Sequence, residues 1–218
     1  MAGLRAIVFD LDGTLIDSRR DLADSANELL IECGAGALTE DAIGRMVGDG
    51  AAVLVARAFA AAGLAMPADA LPRFLAKYDH RLLAHTRPYE GITDLLIALR
   101  GRFGLGVLTN KPLAATLRIL EGLGLAPFFG ANAIVGGDGP YPRKPAPQGL
   151  VALADLLAAR APETMLVGDS IIDWQTARAA SAKACIARYG FGFIGFPEDA
   201  LASANLTIDH PSDLLQLL

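Results

Sequence analysis

Ala6-Ile-Val-Phe9 is an apolar run that stops abruptly at Asp10-Leu-Asp12-Gly-Thr14, and the same device recurs down the chain. Leu105-Gly-Val-Leu108 runs into Thr109-Asn110, Ala133-Ile-Val135 into Gly136-Gly-Asp138, and Met165-Leu-Val167 into Gly168-Asp169. Ala184–Ala187 and Leu206–Ile208 are weaker runs of the same kind. Apolar residues at helical spacing lie between them, over Ala114–Leu123, Gly149–Ala159 and Ile172–Ala180. Strands alternating with helices predict a parallel sheet with right-handed crossovers, hence a doubly wound α/β core.

One segment breaks the alternation. Leu22, Ala26, Leu29 and Leu30 share a helical face. Val53, Leu54, Ala58 and Ala61 share another, and Phe74 and Tyr78 follow at helical spacing. Pro67, Pro72 and several glycines punctuate the stretch, and Pro88-Tyr-Glu-Gly91 reads as the return to the core. The expected organisation is a core of residues 1–17 and 84–218 interrupted by a helical cap at 18–83.

At 218 residues the chain suffices for one sizeable domain with a small insert. A net charge of −5 argues against a nucleic-acid binder, which needs a basic face, and leaves room for a small anionic substrate met by local cations. Cys33 and Cys185 have no metal-ligand spacing and read as free thiols. The first strand begins within a few residues of Met1, without the apolar segment of a leader. The longest apolar stretch, Ala51–Met66, contains Arg57 and Gly63, which argues against a membrane span. The expectation is a cytoplasmic monomer or homodimer.

Polar residues gather at the strands' expected C-terminal ends: Asp10 and Asp12, then Thr109, Asn110 and Lys111, then Lys144 in a loop, then Asp169 and Asp173. In open α/β sheets ligands bind outside those ends. Several carboxylates around one lysine cannot all stay ionised without a cation. An all-oxygen set suits a hard ion such as Mg²⁺, which also takes oxygens of a substrate phosphate. A carboxylate beside such an ion is a candidate nucleophile, and a second acid a candidate proton donor.

The four motifs Asp10-Leu-Asp-Gly-Thr14, Leu108-Thr-Asn110, Lys144-Pro145 and Gly168-Asp-Ser-Ile-Ile-Asp173 resemble, in order, those of the haloacid dehalogenase superfamily of phosphohydrolases. The resemblance covers essentially the whole chain. It implies a Rossmann-like core with a helical cap, and an aspartyl-phosphate mechanism with Mg²⁺. Asp10 would then be nucleophile and metal ligand. Asp12 would be the general acid/base, with its backbone carbonyl on the metal. Thr109 and Asn110 would hold the phosphoryl group, Lys144 would bridge nucleophile and phosphate, and Asp169 and Asp173 would bind metal, the latter directly or through water.

Val47-Gly-Asp-Gly-Ala51, Leu108-Thr-Asn-Lys-Pro112 and Tyr189-Gly-Phe-Gly192 are similar to segments of bacterial phosphoglycolate phosphatases. That resemblance implies 2-phosphoglycolate as the first substrate and makes Gly48, Asp49 and Gly50 of the cap loop candidate substrate contacts. Arg45 is a further cap candidate for a substrate carboxylate. Sugar-phosphate hydrolysis (including N-acetylmuramic acid 6-phosphate), a β-phosphoglucomutase-like mutase and a non-catalytic phosphate-binding module are the alternatives. The chain departs from the usual pattern at Asp49, which adds negative charge near an anion, at Gln148, at Ile172, and at Ser181 where glycine is usual. Lys111 reads as a solvated neighbour, and Asp17-Ser18 as a pair capping the first cap helix. Trp174 reads as packing, Tyr189–Phe196 as a packed loop, and His80, His85 and His210 receive no role.

Overall fold

The computed structural model describes residues 3–202, 204 and 206–218. Six parallel strands form the main sheet: β1 (Ala6–Phe9), β4 (Gly104–Leu108), β5 (Ile134–Val135), β6 (Thr164–Gly168), β7 (Lys183–Ala187) and β8 (Leu206–Ile208). Their order, β5-β4-β1-β6-β7-β8, reverses direction beside β1. The crevice of such a sheet opens where the order reverses. Register pairs Phe9 with both Val107 and Val167, so the first residues past β1, β4 and β6 emerge side by side.

Alternation along each strand decides the two faces. Ile7, Phe9, Val107, Met165 and Val167 enter one core, against α5 (Ile92–Leu99) and α6 (Leu113–Gly122). Val8, Leu108 and Leu166 enter the other, against α7 (Gln148–Leu156) and α8 (Ile171–Ala179). Helices therefore cover both faces, as the alternation of runs implied. Short helices α9 (Glu198–Ala202) and α10 (Asp213–Leu217) complete the core.

Between β1 and α5 the chain forms α1 (Arg19–Glu32), α2 (Glu40–Gly44), α3 (Ala51–Ala61) and α4 (Ala70–Arg81). A two-residue antiparallel ribbon, β2 (Ile16–Asp17) with β3 (Arg87–Pro88), joins the ends of this excursion. The larger core runs without interruption from the sheet through Leu15 and Ile16 to Leu29, Phe59 and Phe74. Asp21 ties the excursion's entry to its exit: its fully buried carboxylate accepts from the backbone N–H of His85 (2.9 Å) and from both the N–H and the hydroxyl of Thr86 (each 2.7 Å).

The buried face of α1 is the expected one, but that of α3 is so only at Leu54 and Ala58. Leu54, Val55, Ala58 and Phe59 are buried, while Val53 is half-buried and Ala61 exposed. Phe59 decides this rotation, because burying its ring removes far more apolar surface from water than burying Ala61 would. Both cysteines are free, and Trp174 packs beside the second core with the Arg178 guanidinium 4.7 Å from its ring. Among the described residues no helix is long and apolar enough to cross a membrane.

Candidate active site

Asp10 leaves β1 almost fully buried, its backbone N–H donating to Val167 of β6 at 2.8 Å. The backbone then turns at Gly13, whose φ of +89° lies in the left-handed region. A side chain there would also collide with the Asp169 carboxylate, so the glycine lets Asp169 approach from β6.

Lys144 is the centre of the cluster. Its ammonium lies 2.7 Å from Asp10 Oδ1 and 2.6 Å from Asp173 Oδ1, and its side chain is 3% exposed. The other Asp173 oxygen accepts from the backbone N–H (3.1 Å) and hydroxyl (2.6 Å) of Ser170, a reciprocal cap at the start of α8. Asp169 accepts from the Gly192 N–H at 2.7 Å. Carboxylate oxygens of Asp10, Asp169 and Asp173 lie within 4.8 Å of one another.

Three buried acids around one lysine leave negative charge uncompensated. Burial, the largest influence, joins the charges of Asp173 and Asp12 against the pull of Lys144 and pushes Asp10 up to about 7. Burial, then the charges of Asp10 and Asp173, hold Asp169 well above the usual carboxylate value. Burial opposes the charge of Lys144, but the two aspartates outweigh it and raise its pKa. A cation among these acids would reverse the carboxylate shifts, and an all-oxygen donor set fits a hard divalent ion. The residues present therefore fit a hard divalent cation. Asp21, Asp24 and His85 form a second grouping, but the Asp21 carboxylate is taken up by the hydrogen bonds described above.

The Asp12 carboxylate faces away from this cluster. It accepts from the Ser18 hydroxyl at 2.5 Å and from the Lys111 ammonium at 2.9 Å through both oxygens. Two expectations are corrected here. Lys111 is not solvated: its side chain is 5% exposed, with the ammonium 4.6 Å from the centre of the Tyr78 ring. The helical excursion covers it, an effect no local pattern around Lys111 encodes. Ser18 does not cap α1 through its side chain, which is spent on Asp12. Asp17 instead accepts from the Arg19 backbone N–H at 3.1 Å and grips the Arg19 guanidinium.

Thr109 and Asn110 follow β4. The Thr109 hydroxyl accepts from the Lys111 N–H at 3.1 Å. The Asn110 amide ties three loops together: it donates to the carbonyls of Gly48 (2.8 Å) and Lys144 (3.0 Å) and accepts from the Lys144 N–H (2.9 Å). Gly48 and Gly50 thereby close one side of a cavity whose floor is Asp10, Asp12 and Thr109. Its walls are Val47, Leu54, Phe74 and Tyr78, with Lys111 between floor and wall. The cavity has a volume of about 50 Å³.

Two cap candidates are not brought into this cavity. Asp49 points away and pairs with Arg57 at 2.7 Å, which neutralises the charge its position seemed to add near an anion. Arg45, at the end of α2, is exposed and does not line the cavity. The Tyr189–Phe196 segment is packed from Tyr189 to Phe193 but exposed at Ile194 and Gly195, and it also serves the cluster. Gly192 donates to Asp169, Tyr189 donates to the Thr14 carbonyl at 2.9 Å, and a side chain on Gly190 would collide with Gly13 and Asp169. Its Gly-x-Gly pattern was the available signal of close backbone approach.

A family model for haloacid dehalogenase-like hydrolases matches residues 7–187. The chain is 46% identical over 197 residues to a phosphoglycolate phosphatase of Rhodospirillum rubrum, covering 86% of this chain and 80% of that protein. It is 32% identical to an N-acetylmuramic acid 6-phosphate phosphatase of Pseudomonas putida, over 99% of this chain and 96% of that one. The crystal structure of a protein described as a predicted phosphoglycolate phosphatase, from Haemophilus somnus, superposes with a TM-score of 0.90 at 28% identity, over 100% of this chain and 99% of that chain. With its motifs at the exits of β1, β4 and β6, the chain belongs to the haloacid dehalogenase-like hydrolase family.

Proposed function

We propose that the protein is a Mg²⁺-dependent phosphomonoesterase acting through an aspartyl-phosphate on Asp10, with 2-phosphoglycolate as its first substrate. The observation that carries this reading is the Lys144 ammonium held between Asp10 and Asp173, with Asp169 completing an acid cluster beside a cavity that Asp10 lines. Asp10 and Asp169, with the Asp12 carbonyl, would hold the ion, and Asp173, whose oxygens are engaged by Lys144 and Ser170, would do so directly or through water. When bound, the ion supplies positive charge that offsets repulsion between carboxylate and phosphate.

An Asp10 oxygen attacks phosphorus and the bond to the ester oxygen breaks. Asp12 gives that oxygen its proton, then accepts one from the water that attacks the phosphorus of the acyl phosphate. Lys144 fixes Asp10 in place, and Thr109 with the backbone at Asn110 receives the phosphoryl oxygens. Residues 18–83 act as the cap that excludes water and meets the leaving group.

The greater identity to a phosphoglycolate phosphatase (46%) than to an N-acetylmuramic acid 6-phosphate phosphatase (32%) supports a two-carbon leaving group over an amino sugar. A kcat/KM ranking over phosphomonoesters, with and without chelator, tests the proposal. The expected result is highest efficiency with 2-phosphoglycolate, loss on chelation and recovery with Mg²⁺. Preference for N-acetylmuramic acid 6-phosphate would replace the substrate. Isomerisation of a hexose 1-phosphate without release of phosphate would replace the reaction, and no turnover of any ester would leave only phosphate binding.

A further inference from the structure

Lys111 has no task in the chemistry above, yet it is a buried cation at the cavity's edge. Among the described residues lining the cavity it is the only basic one. It pairs with both oxygens of Asp12, one of which the Ser18 hydroxyl also holds at 2.5 Å. A buried ion pair adds little net stability, because desolvation offsets the attraction. Stability therefore gives a weak reason to keep a lysine here.

Tyr78 supplies a second, independent observation. It is 4% exposed and lines the same cavity, and its buried hydroxyl, close to the Lys111 ammonium, has no acceptor for its own proton. An orphaned buried donor is costly unless a ligand uses it. The neighbouring wall is apolar, formed by Leu54 and Phe74, and offers no partner to a polyhydroxylated leaving group.

We propose that Lys111 and Tyr78 form the subsite that receives the carboxylate of the leaving group, an inference that rests on the phosphomonoesterase reading. The placement also limits where that carboxylate sits on the substrate. Lys111 touches Asp12 at 2.9 Å, and Asp12 must reach the ester oxygen. An anion bound at Lys111 therefore lies close to that oxygen, as in an ester of a 2-hydroxy acid. A carboxylate several carbons away does not satisfy both contacts. Asp49 does not oppose this anion, because Arg57 holds it outside.

The test compares two esters in Mg²⁺ buffer: 2-phosphoglycolate and 2-hydroxyethyl phosphate, which has nearly the same shape without the charge. Wild-type protein should prefer the former. Lys111→Met should lose about 10- to 100-fold in kcat/KM for 2-phosphoglycolate, the range of a charge-assisted hydrogen bond. Because the Lys111 ammonium also pairs with Asp12, the variant should lose some efficiency on the neutral ester too, but several-fold less, so the ratio of the two efficiencies should fall. Tyr78→Phe should lower the ratio in the same direction by a smaller factor. Reading a ratio within each variant cancels any partial folding defect. Equal losses on both esters in Lys111→Met would mean that Lys111 only positions Asp12, and would overturn the subsite. Equal wild-type efficiency on the two esters would also overturn it while leaving the phosphatase intact. Hydrolysis of neither ester would defeat both.

Discussion

Asn110 joins the Gly48 loop to the Lys144 loop at a single amide, and its removal has a calculable cost. In Asn110→Ala the buried N–H of Lys144 loses its only described acceptor, the Asn110 side-chain oxygen at 2.9 Å. An orphaned buried donor costs about 1–3 kcal/mol. The carbonyls of Gly48 and Lys144 lose their side-chain donor as well, at 2.8 and 3.0 Å. Carbonyls tolerate loss better, so the total is about 2–4 kcal/mol. For a domain of this size that lowers Tm by about 4–16 °C, at about 2–4 °C per kcal/mol. Catalysis should fall further than stability does, because the Lys144 loop and the Gly48 side of the cavity shift together, and a 1 Å misplacement costs about 100-fold. Asn110→Asp is the control. It keeps an acceptor for Lys144 but turns a carboxylate towards two carbonyls, and should be no better. Urea unfolding and steady-state kinetics read both quantities. Asn110→Ala within about 0.5 kcal/mol of wild type, the range of an ordinary surface change, with unchanged kcat/KM would refute the reasoning.

Asp21→Ala strips the partner from two backbone donors and one hydroxyl at the return from the helical excursion, and should cost about 2–6 kcal/mol by urea unfolding. Ser181 is exposed with φ of 57°, a conformation that costs a side-chain-bearing residue about 1–2 kcal/mol. Ser181→Gly relieves that strain but frees the unfolded chain, so a net gain of about 0.5–1 kcal/mol should appear in calorimetry. Gly190→Ala drives a methyl group into Gly13 and Asp169. It should raise the Mg²⁺ concentration for half-maximal activity by about 10- to 100-fold, as loss of a ligand's support does.

The site positions legible in sequence are those set by strand exits. Asp10, Thr109 and Asp169 each follow an apolar run, and register alone brings them together. Lys144 was legible only through its motif, because its loop has no periodicity. What escaped depends on tertiary cover. Nothing around Lys111 signals that Tyr78, 33 positions earlier, folds over it. Ser18 has the composition of a cap but finds Asp12 nearer. The β2–β3 ribbon contributes two residues from each side, too few for an alternating pattern. The rotation of α3 turned on the size of Phe59, which a count of apolar positions ignores.

Rapid-quench mass spectrometry of Asp12→Asn with p-nitrophenyl phosphate tests most directly whether Asp10 takes the phosphoryl group. This leaving group departs without a proton donor, so the first step proceeds while the second lacks its base. A nitrophenolate burst of about one per site, with the phosphoryl group on the peptide containing Asp10, is the predicted result. No burst, or a phosphoryl group on another residue, would contradict the account.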